Sequence, residues 1–371
     1  MKIFLLIPDD YASGGIQRSA LAARECLIEG GHGVTILCVK TLPGGFAEDF
    51  DFVRSVSAQI KARSIFWIRF IYELRRLLIF EKVDILVGLG LSPSVFGRVA
   101  SLGLTRLSCI GSERAYPPAT PLSPVWKVLR RLSFPLLDAI VSQTARTAEW
   151  YRNSLSIPRE RLVVIGNVIA PPLGGPLPPL SVLDKLKGRR VIACVGRFQP
   201  QKGLDMALEI FAQVVESCPT ARLLMIGEGP LQNDLSKLVD TLGISESVFF
   251  HPPIGHLGQI WQAVEIFLLT SRYEGIPNVL IEAMAHGRAC VSFDCQTGPA
   301  EMIVDGVNGF LVPLGDCALA SRRCKEILTN PDLKNRLGLQ AAKIPERFSA
   351  NEIGFEWNEL VRRVQSAKSR N

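Results

Sequence analysis

Two cations, Arg197 and Lys202, stand in the run Val195-Gly196-Arg197-Phe198-Gln199-Pro200-Gln201-Lys202-Gly203. Side chains of this type beside a helix start suit a diphosphate, whose charge they neutralise. Two solvated surface charges are the plainer alternative, and the position just past an apolar run favours the first. Two carboxylates follow in the frame Glu274-x7-Glu282. Pro277 suits the first turn of a helix, which leaves Glu274 on the loop before it and puts Glu282 about one and a half turns inside. A carboxylate within the apolar run Val279–Met284 is costly to bury alone. The vicinal hydroxyls of a sugar would supply two donors; a helix salt bridge would serve as well.

Glycine-bounded turns recur beside such runs. Gly14-Gly15 follows the first apolar run and opens a helix, presenting free N–H groups to an anion or simply making a tight turn. It is neither GxGxxG nor a Walker A sequence, so no dinucleotide or P-loop site is indicated. Gly227-Glu228-Gly229-Pro230 reads equally as a surface for a nucleotide base or as a turn. Cys295-Gln296-Thr297-Gly298-Pro299-Ala300-Glu301 offers another anion-facing helix start. Gly111-Ser112-Glu113-Arg114 carries a carboxylate that either touches a substrate hydroxyl or pairs with Arg114. The four histidines, His32, His251, His256 and His286, form no constellation. The one Asp-x-Asp, Asp49-Phe50-Asp51, reads as a loop, and no metal or other cofactor is expected.

These residues need a scaffold that delivers loops to one edge. The first half alternates short apolar runs (Lys2–Pro8, Val34–Val39, Asp84–Gly90, Leu107–Gly111, Asp138–Thr144, Leu162–Asn167) with helix-patterned stretches (Ile16–Glu29, Ser64–Phe80, Pro93–Leu102, Pro124–Leu132, Ala145–Ser154). That alternation predicts a parallel sheet covered on both faces. A stretch with five Pro and two Gly, Ile169–Leu180, reads as a linker. The alternation then restarts with Val191–Val195, Arg222–Ile226, Val248–His251, Ile266–Leu269, Cys290–Phe293 and Phe310–Val312. The expected organisation is an α/β chain of two doubly wound domains: residues 1–170, a linker over 171–186, residues 187–349, and a final amphipathic helix over 350–371. Ligands bind beyond the carboxyl ends of such sheets, and two facing sheets would put a site in the cleft between them.

The chain has 371 residues, 47% of them hydrophobic and 21% charged, which fits folded domains and excludes long disorder. Nine cysteines without a CxxC pair exclude a zinc framework and argue against a disulfide scaffold; Cys38, Cys109 and Cys194 sit in apolar runs as small hydrophobes. The N-terminal apolar run is too short for a signal peptide, and no run is long enough to span a membrane. The expected location is therefore cytoplasmic. The net charge is +7, and all of it lies in residues 1–180, which hold 21 basic and 14 acidic side chains.

Taken together, Gly14-Gly15, Gly196-Arg197 with Lys202-Gly203, and Glu274-x7-Glu282 inside a Glu-Gly-x-Pro…Glu-Ala-Met-x-x-Gly frame resemble the retaining, GT-B-fold glycosyltransferases of family 4. Gly298-Pro299 with Glu301, and Asp305-Gly306-x-Asn308-Gly309, extend the resemblance over nearly the whole chain. It implies two Rossmann-like domains facing across a cleft, the first binding acceptor and the second a UDP-linked nucleotide-sugar donor. It implies that Arg197, Lys202 and Glu274 serve catalysis. Gly14, Gly15, Gly196, Glu228, Gly275, Ile276, Pro277, Asn278 and Glu282 would bind donor, with Glu282 on the ribose hydroxyls. Many members carry a His where Ser112-Glu113-Arg114 stands. The Ser-Glu-Arg version resembles members acting on polysaccharide and lipid-linked precursors, with Glu113 and Arg114 as acceptor or sugar contacts. The rival readings are a nucleotide-sugar epimerase of the same shape and a catalytically silent sugar-nucleotide-binding partner of a membrane complex.

The segment Arg54–Lys82 carries a net +5 among aromatics. Helical spacing groups Ile68, Ile71, Leu74 and Leu78 on one face. Such helices suit an anionic membrane surface or simply pack on the sheet. The expectation is a membrane-facing set of Arg63, Trp67, Arg69, Arg75 and Arg76, a peripheral position on the membrane's cytoplasmic face, and a saccharide or lipid-pyrophosphate-linked acceptor. No helix-turn-helix, RRM or zinc pattern points to nucleic acid.

Overall fold

Runs of Ile, Val and Leu that are apolar on both faces need cover on both, and parallel strands with crossover helices supply it. The computed structural model describes residues 1–9, 15–40, 53–55, 66–114, 116–168, 184, 186–254 and 257–369. The chain divides into two units, Met1–Ala170 with Phe348–Asn371, and Pro171–Arg347. The Pro-rich stretch 169–183 lies outside the described residues.

The first unit runs β1 (Lys2–Asp9), α1 (Gly15–Glu29), β2 (Gly33–Lys40), β3 (Val53–Ser55), α2 (Phe66–Phe80), β4 (Ile85–Leu89), α3 (Leu91–Ala100), β5 (Ser108–Ser112), α4 (Pro124–Ser133), β6 (Ala139–Ser142), α5 (Ala145–Leu155) and β7 (Leu162–Val164). Its sheet has the order β3-β2-β1-β4-β5-β6-β7, and its pairings are parallel. The order reverses at β1, where Phe4 lies between Thr35 of β2 and Leu86 of β4. The short edge strand β3 was not expected from the sequence; it overlaps the start of the basic segment Arg54–Lys82, ahead of the stretch read as helical.

The second unit runs β8 (Arg190–Val195), α6 (Leu204–Ser217), β9 (Ala221–Ile226), α7 (Gln232–Thr241), β10 (Val248–His251), α8 (Gly258–Ala263), β11 (Val264–Leu269), α9 (Asn278–Ala285), β12 (Ala289–Asp294), β13 (Phe310–Pro313), α10 (Cys317–Thr329) and α11 (Pro331–Ala341). Its parallel sheet has the order β10-β9-β8-β11-β12-β13, reversing between β8 and β11. Leu208, Phe211 and Val214 of α6 and Cys324 and Ile327 of α10 bury one face of that sheet.

The last helix, α12 (Ala350–Ser369), belongs to the first unit. Trp357, Leu360 and Val361 pack with Ala20, Ala23 and Leu27 of α1 against the sheet. Asn358 Nδ2 donates to the Cys26 carbonyl at 3.1 Å. The opposite face of the sheet is covered by α2, α3 and the segment after α4, through Phe70, Leu74, Val95, Phe96 and Phe134. Among the described residues no helix is long and apolar enough to cross a membrane.

Candidate functional site

In the second unit the sequence-flagged residues gather at the carboxyl ends of β8, β9 and β11, beside the point where strand order reverses. Doubly wound sheets bind ligands at that point. β8 ends at Val195, and Gly196 and the exposed Arg197 follow it; among the described residues the Arg197 guanidinium makes no hydrogen bond or ion pair. Lys202 closes a 3-10 turn, Pro200–Lys202, just before α6. Its ammonium donates to Glu274 Oε1 at 2.6 Å, and its stem lies across Gly196, where a Cβ would stand 3.0 Å from Lys202 Cε. Glu274 is 6% exposed and also accepts from Ser271 Oγ at 2.6 Å. The two charges flagged separately in the sequence therefore form one part-buried pair. An ammonium has three donors, so Lys202 keeps two beyond the one given to Glu274.

The loop after β8 is laced to the loop after β11. Arg272 N donates to the Gln201 carbonyl at 2.8 Å, Gln201 Nε2 to the Tyr273 carbonyl at 3.0 Å, and Thr270 Oγ1 to the Lys202 carbonyl at 3.1 Å. Arg272 also forks onto Asp205 at 3.0 and 2.6 Å. Burial raises the Asp205 carboxyl and the Arg272 fork more than offsets it, so its pKa lies below the usual value. The pivot of this lacing is Gly203, at φ +59°, where a Cβ would stand 2.1 Å from the Thr270 carbonyl oxygen. Only glycine meets both demands.

A third loop closes on the second. Thr297 Oγ1 donates to the Glu274 carbonyl. Gly298, at φ +98°, approaches so closely that a Cβ would stand 2.3 Å from the Gly275 carbonyl oxygen. Burial pushes the Cys295 thiol up to about 12, which suits a packing residue rather than a nucleophile. Pro277 caps α9, whose first residue is Asn278, so Gly275 and Ile276 lie in the connection and the N–H groups of the first turn face its opening. Glu282 is half-buried on α9 between the buried Ile281 and Ala283. Glu228 is exposed, and its carbonyl accepts from Phe198 N at 2.7 Å, which seats the Gly227–Gly229 turn on the Arg197 loop.

Sequence reasoning missed Ser271, Gln201 and the Arg272–Asp205 fork. Ser271 and Arg272 stand within three residues of Glu274, but no spacing rule singles them out.

In the first unit Gly15 opens α1, while Gly14 lies outside the described residues. Ser112 ends β5, and Glu113 and Arg114 follow it. Glu113, expected to touch substrate or to pair with Arg114, does not pair with Arg114. Its buried carboxylate accepts from Arg130 Nη1 at 3.3 Å and from the Tyr151 hydroxyl at 2.8 Å. Burial pushes its pKa up, against the opposing pull of Arg130 and Tyr151. Arg130 in turn stacks over the Trp150 ring at 4.8 Å.

Trp67 stacks on Phe96 at 4.6 Å, and Arg69 and Arg76 are exposed. Arg75, expected to face a membrane, instead donates to the Ala100 and Leu102 carbonyls at 2.9 and 2.6 Å, capping the end of α3. The buried stripe of α2 is Phe70, Leu74 and Leu78; Ile68, grouped on one face with Leu74 and Leu78 by helical spacing, is 74% exposed. Arg63 lies outside the described residues.

Residues 181–344 match the family model Glycosyl transferases group 1, and residues 14–168 match the Glycosyl transferase 4-like domain. An exopolysaccharide phosphotransferase of Streptomyces coelicolor is 31% identical over 297 residues, covering 80% of this chain and 30% of that protein. The amylovoran biosynthesis glycosyltransferase AmsD of Erwinia amylovora is 25% identical, covering 63% of this chain and 64% of that one. The chain thus spans less than two thirds of either relative. The crystal structure of Anabaena HepE in complex with UDP has a TM-score of 0.81 at 17% identity, covering 99% of this chain and 100% of that one. With both halves matched and the double α/β architecture shared, the chain belongs to the GT-B-fold glycosyltransferases of the glycosyl transferases group 1 family.

Proposed function

We propose that the protein is a retaining glycosyltransferase that moves a sugar from a UDP-linked donor to a saccharide acceptor in cell-surface polysaccharide biosynthesis. The observation that carries this reading is the Lys202–Glu274 pair beside the unpaired Arg197, at the reversal point of the second sheet. When the glycosidic bond to a nucleoside diphosphate breaks, its electron pair goes to the phosphate oxygen. Arg197, the two remaining donors of Lys202 and the helix starts at Leu204 and Asn278 are fixed positive ends that meet that charge. Charge neutralisation of this kind needs no metal. Glu274 holds Lys202 in place and, with the Gly275–Asn278 backbone, faces the donor sugar. Glu282 takes the ribose hydroxyls, and the Gly227–Gly229 turn, with Glu228, receives the base.

The UDP-bound relative in fold supports the choice of nucleotide, and the two relatives named for exopolysaccharide and amylovoran support polysaccharide assembly. A lipid-linked acceptor and a peripheral, cytoplasmic-face position rest on the first unit. There α2 exposes Ile68, Tyr72, Ile79 and Phe80 beside Arg69 and Arg76, and α4 exposes Val125, Val128 and Leu132 beside Lys127 and Arg131. Phe96 of α3, flanked by Trp67 at 4.6 Å and Trp126 at 5.7 Å, joins the two helices into one surface. Apolar side chains among cations suit an anionic leaflet.

A thermal-shift screen over nucleotide sugars tests the donor assignment, because a ligand that prefers the folded state raises the melting temperature. A UDP-sugar should raise it, and should fail to do so in Lys202→Ala. A shift that persists unchanged in that variant refutes the site.

A further inference from the structure

The end of β5 holds three polar atoms with no hydrogen-bond partner among the described residues. Arg114 is half-buried, its Nε and Nη1 are covered, and among the described residues neither has a hydrogen-bond partner. Two residues earlier, the Ser112 hydroxyl is fully buried and also unpartnered, although its backbone N–H is fixed by Ser94 Oγ at 3.1 Å. The nearest carboxylate in sequence, Glu113, cannot serve, since Arg130 and Tyr151 hold it. Alternation along an extended chain puts Ser112 and Arg114 on one side and Glu113 on the other.

A covered guanidinium with unmade bonds is expensive, and burial alone pulls its pKa down to about 10. A fold retains such a group where something else completes it. The orphaned nitrogens are Nε and Nη1. Both edges by which a guanidinium grips an oxyanion in bidentate fashion include one of them, Nη1 with Nη2 or Nε with Nη2. An anion on either edge completes one of the two orphaned nitrogens.

We propose that Arg114 with the Ser112 hydroxyl forms an oxyanion subsite in the first unit, taking a phosphate or carboxylate group carried by the acceptor. The proposal rests on the glycosyltransferase reading and narrows it to an anionic acceptor. The donor's own phosphates are assigned to Arg197 and Lys202 of the second unit, which leaves the acceptor as the source of the second anion. Glu113 becomes a positioning residue: pinned by Arg130 and Tyr151, it anchors the chain from which Arg114 projects.

The test uses the full chain saturated with UDP, so that the donor site cannot take the probe. Inorganic pyrophosphate and, separately, glucuronate are titrated at constant ionic strength and read by calorimetry. One of the two should bind, and Arg114→Gln should weaken it at least tenfold, with Arg114→Lys in between and UDP affinity unchanged in both. Pyrophosphate identifies a phosphate-linked acceptor and glucuronate an acidic sugar; either result supports the subsite. The melting temperature of unliganded Arg114→Gln should equal or exceed that of the parent, because an uncompensated charge has been removed. Three results overturn the proposal: no Arg114-dependent binding of either probe, a loss of UDP affinity in Arg114→Gln, or a lower melting temperature showing that Arg114 is structural. Failure of the parent to bind UDP at all refutes the broader reading instead.

Discussion

Lys202 gives one of its three donors to Glu274 and holds two in reserve, and this division is what makes a part-buried cation useful to an incoming diphosphate. Removing it has two consequences of different kinds. The lost electrostatic contact should lower transfer about 100-fold or more in Lys202→Ala, in line with the loss of a preorganised charge from a reacting centre. The same change leaves Glu274 buried with only Ser271 beside it, so the variant should also melt below the parent. Arg197→Ala separates the two. Arg197 is exposed and unpaired among the described residues, so its loss should cut transfer comparably while the melting temperature stays put. Steady-state rates alongside calorimetric unfolding check both variants; full transfer activity in Arg197→Ala contradicts its assignment.

At the scale of elements, the site depends on loops held to one another rather than on any single strand. Gly203 is the tightest point, and Gly203→Ala should lower the melting temperature by several degrees, since the backbone is left-handed there and the Thr270 carbonyl fills the space of a Cβ. Further along the same sheet, Glu265 of β11 joins Arg190 of β8 at 3.0 Å and Lys334 of α11 at 2.7 Å. Burial raises its carboxyl, the Arg190 and Lys334 hydrogen bonds outweigh that, and the folded pKa lies below the ordinary 4.5. A depressed carboxyl contributes stability that is present above pH 4.5 and lost as pH falls through the folded value. Glu265→Gln should therefore flatten acid destabilisation below pH 4.5 in urea unfolding; an unchanged pH profile contradicts this.

The elements themselves were largely legible in the sequence, because a strand covered on both faces is a short apolar run and little else. All twelve expected strands are present within a few residues. The exception, β3, is three residues long and bears Arg54, so it carries no such run. The site was legible as positions but not as pairs. Arg197, Lys202, Glu274 and Glu282 follow strand ends or open helices, which local pattern reveals. That Lys202 meets Glu274, or that Glu113 meets Arg130 and Tyr151 rather than Arg114, depends on contacts 17 to 72 residues apart in sequence. For α2 the helical spacing put Leu74 and Leu78 on one face with Ile68, whereas the buried stripe runs through Phe70, Leu74 and Leu78, with Phe70 and Trp67 against Phe96 of α3 and Ile68 exposed.

Across the whole molecule, the +7 charge lies in residues 1–180, the same half in which α2 and α4 expose apolar side chains. That coincidence predicts flotation with phosphatidylglycerol vesicles at low salt and release at 1 M salt, where the Debye length shrinks to about 3 Å. Neutralising Arg69, Arg76, Lys127 and Arg131 together should reduce binding at least tenfold, while neutralising Arg75, which caps α3, should act through stability instead. Absence of flotation at low salt removes the membrane from the account without touching the donor site.

The donor site is the central claim, and UDP titrated calorimetrically into the full chain tests it most directly. Saturable one-to-one binding to the parent, weakened at least tenfold in Lys202→Ala with the variant still folded, is the predicted result. No binding to the parent, or equal affinity in the variant, contradicts it.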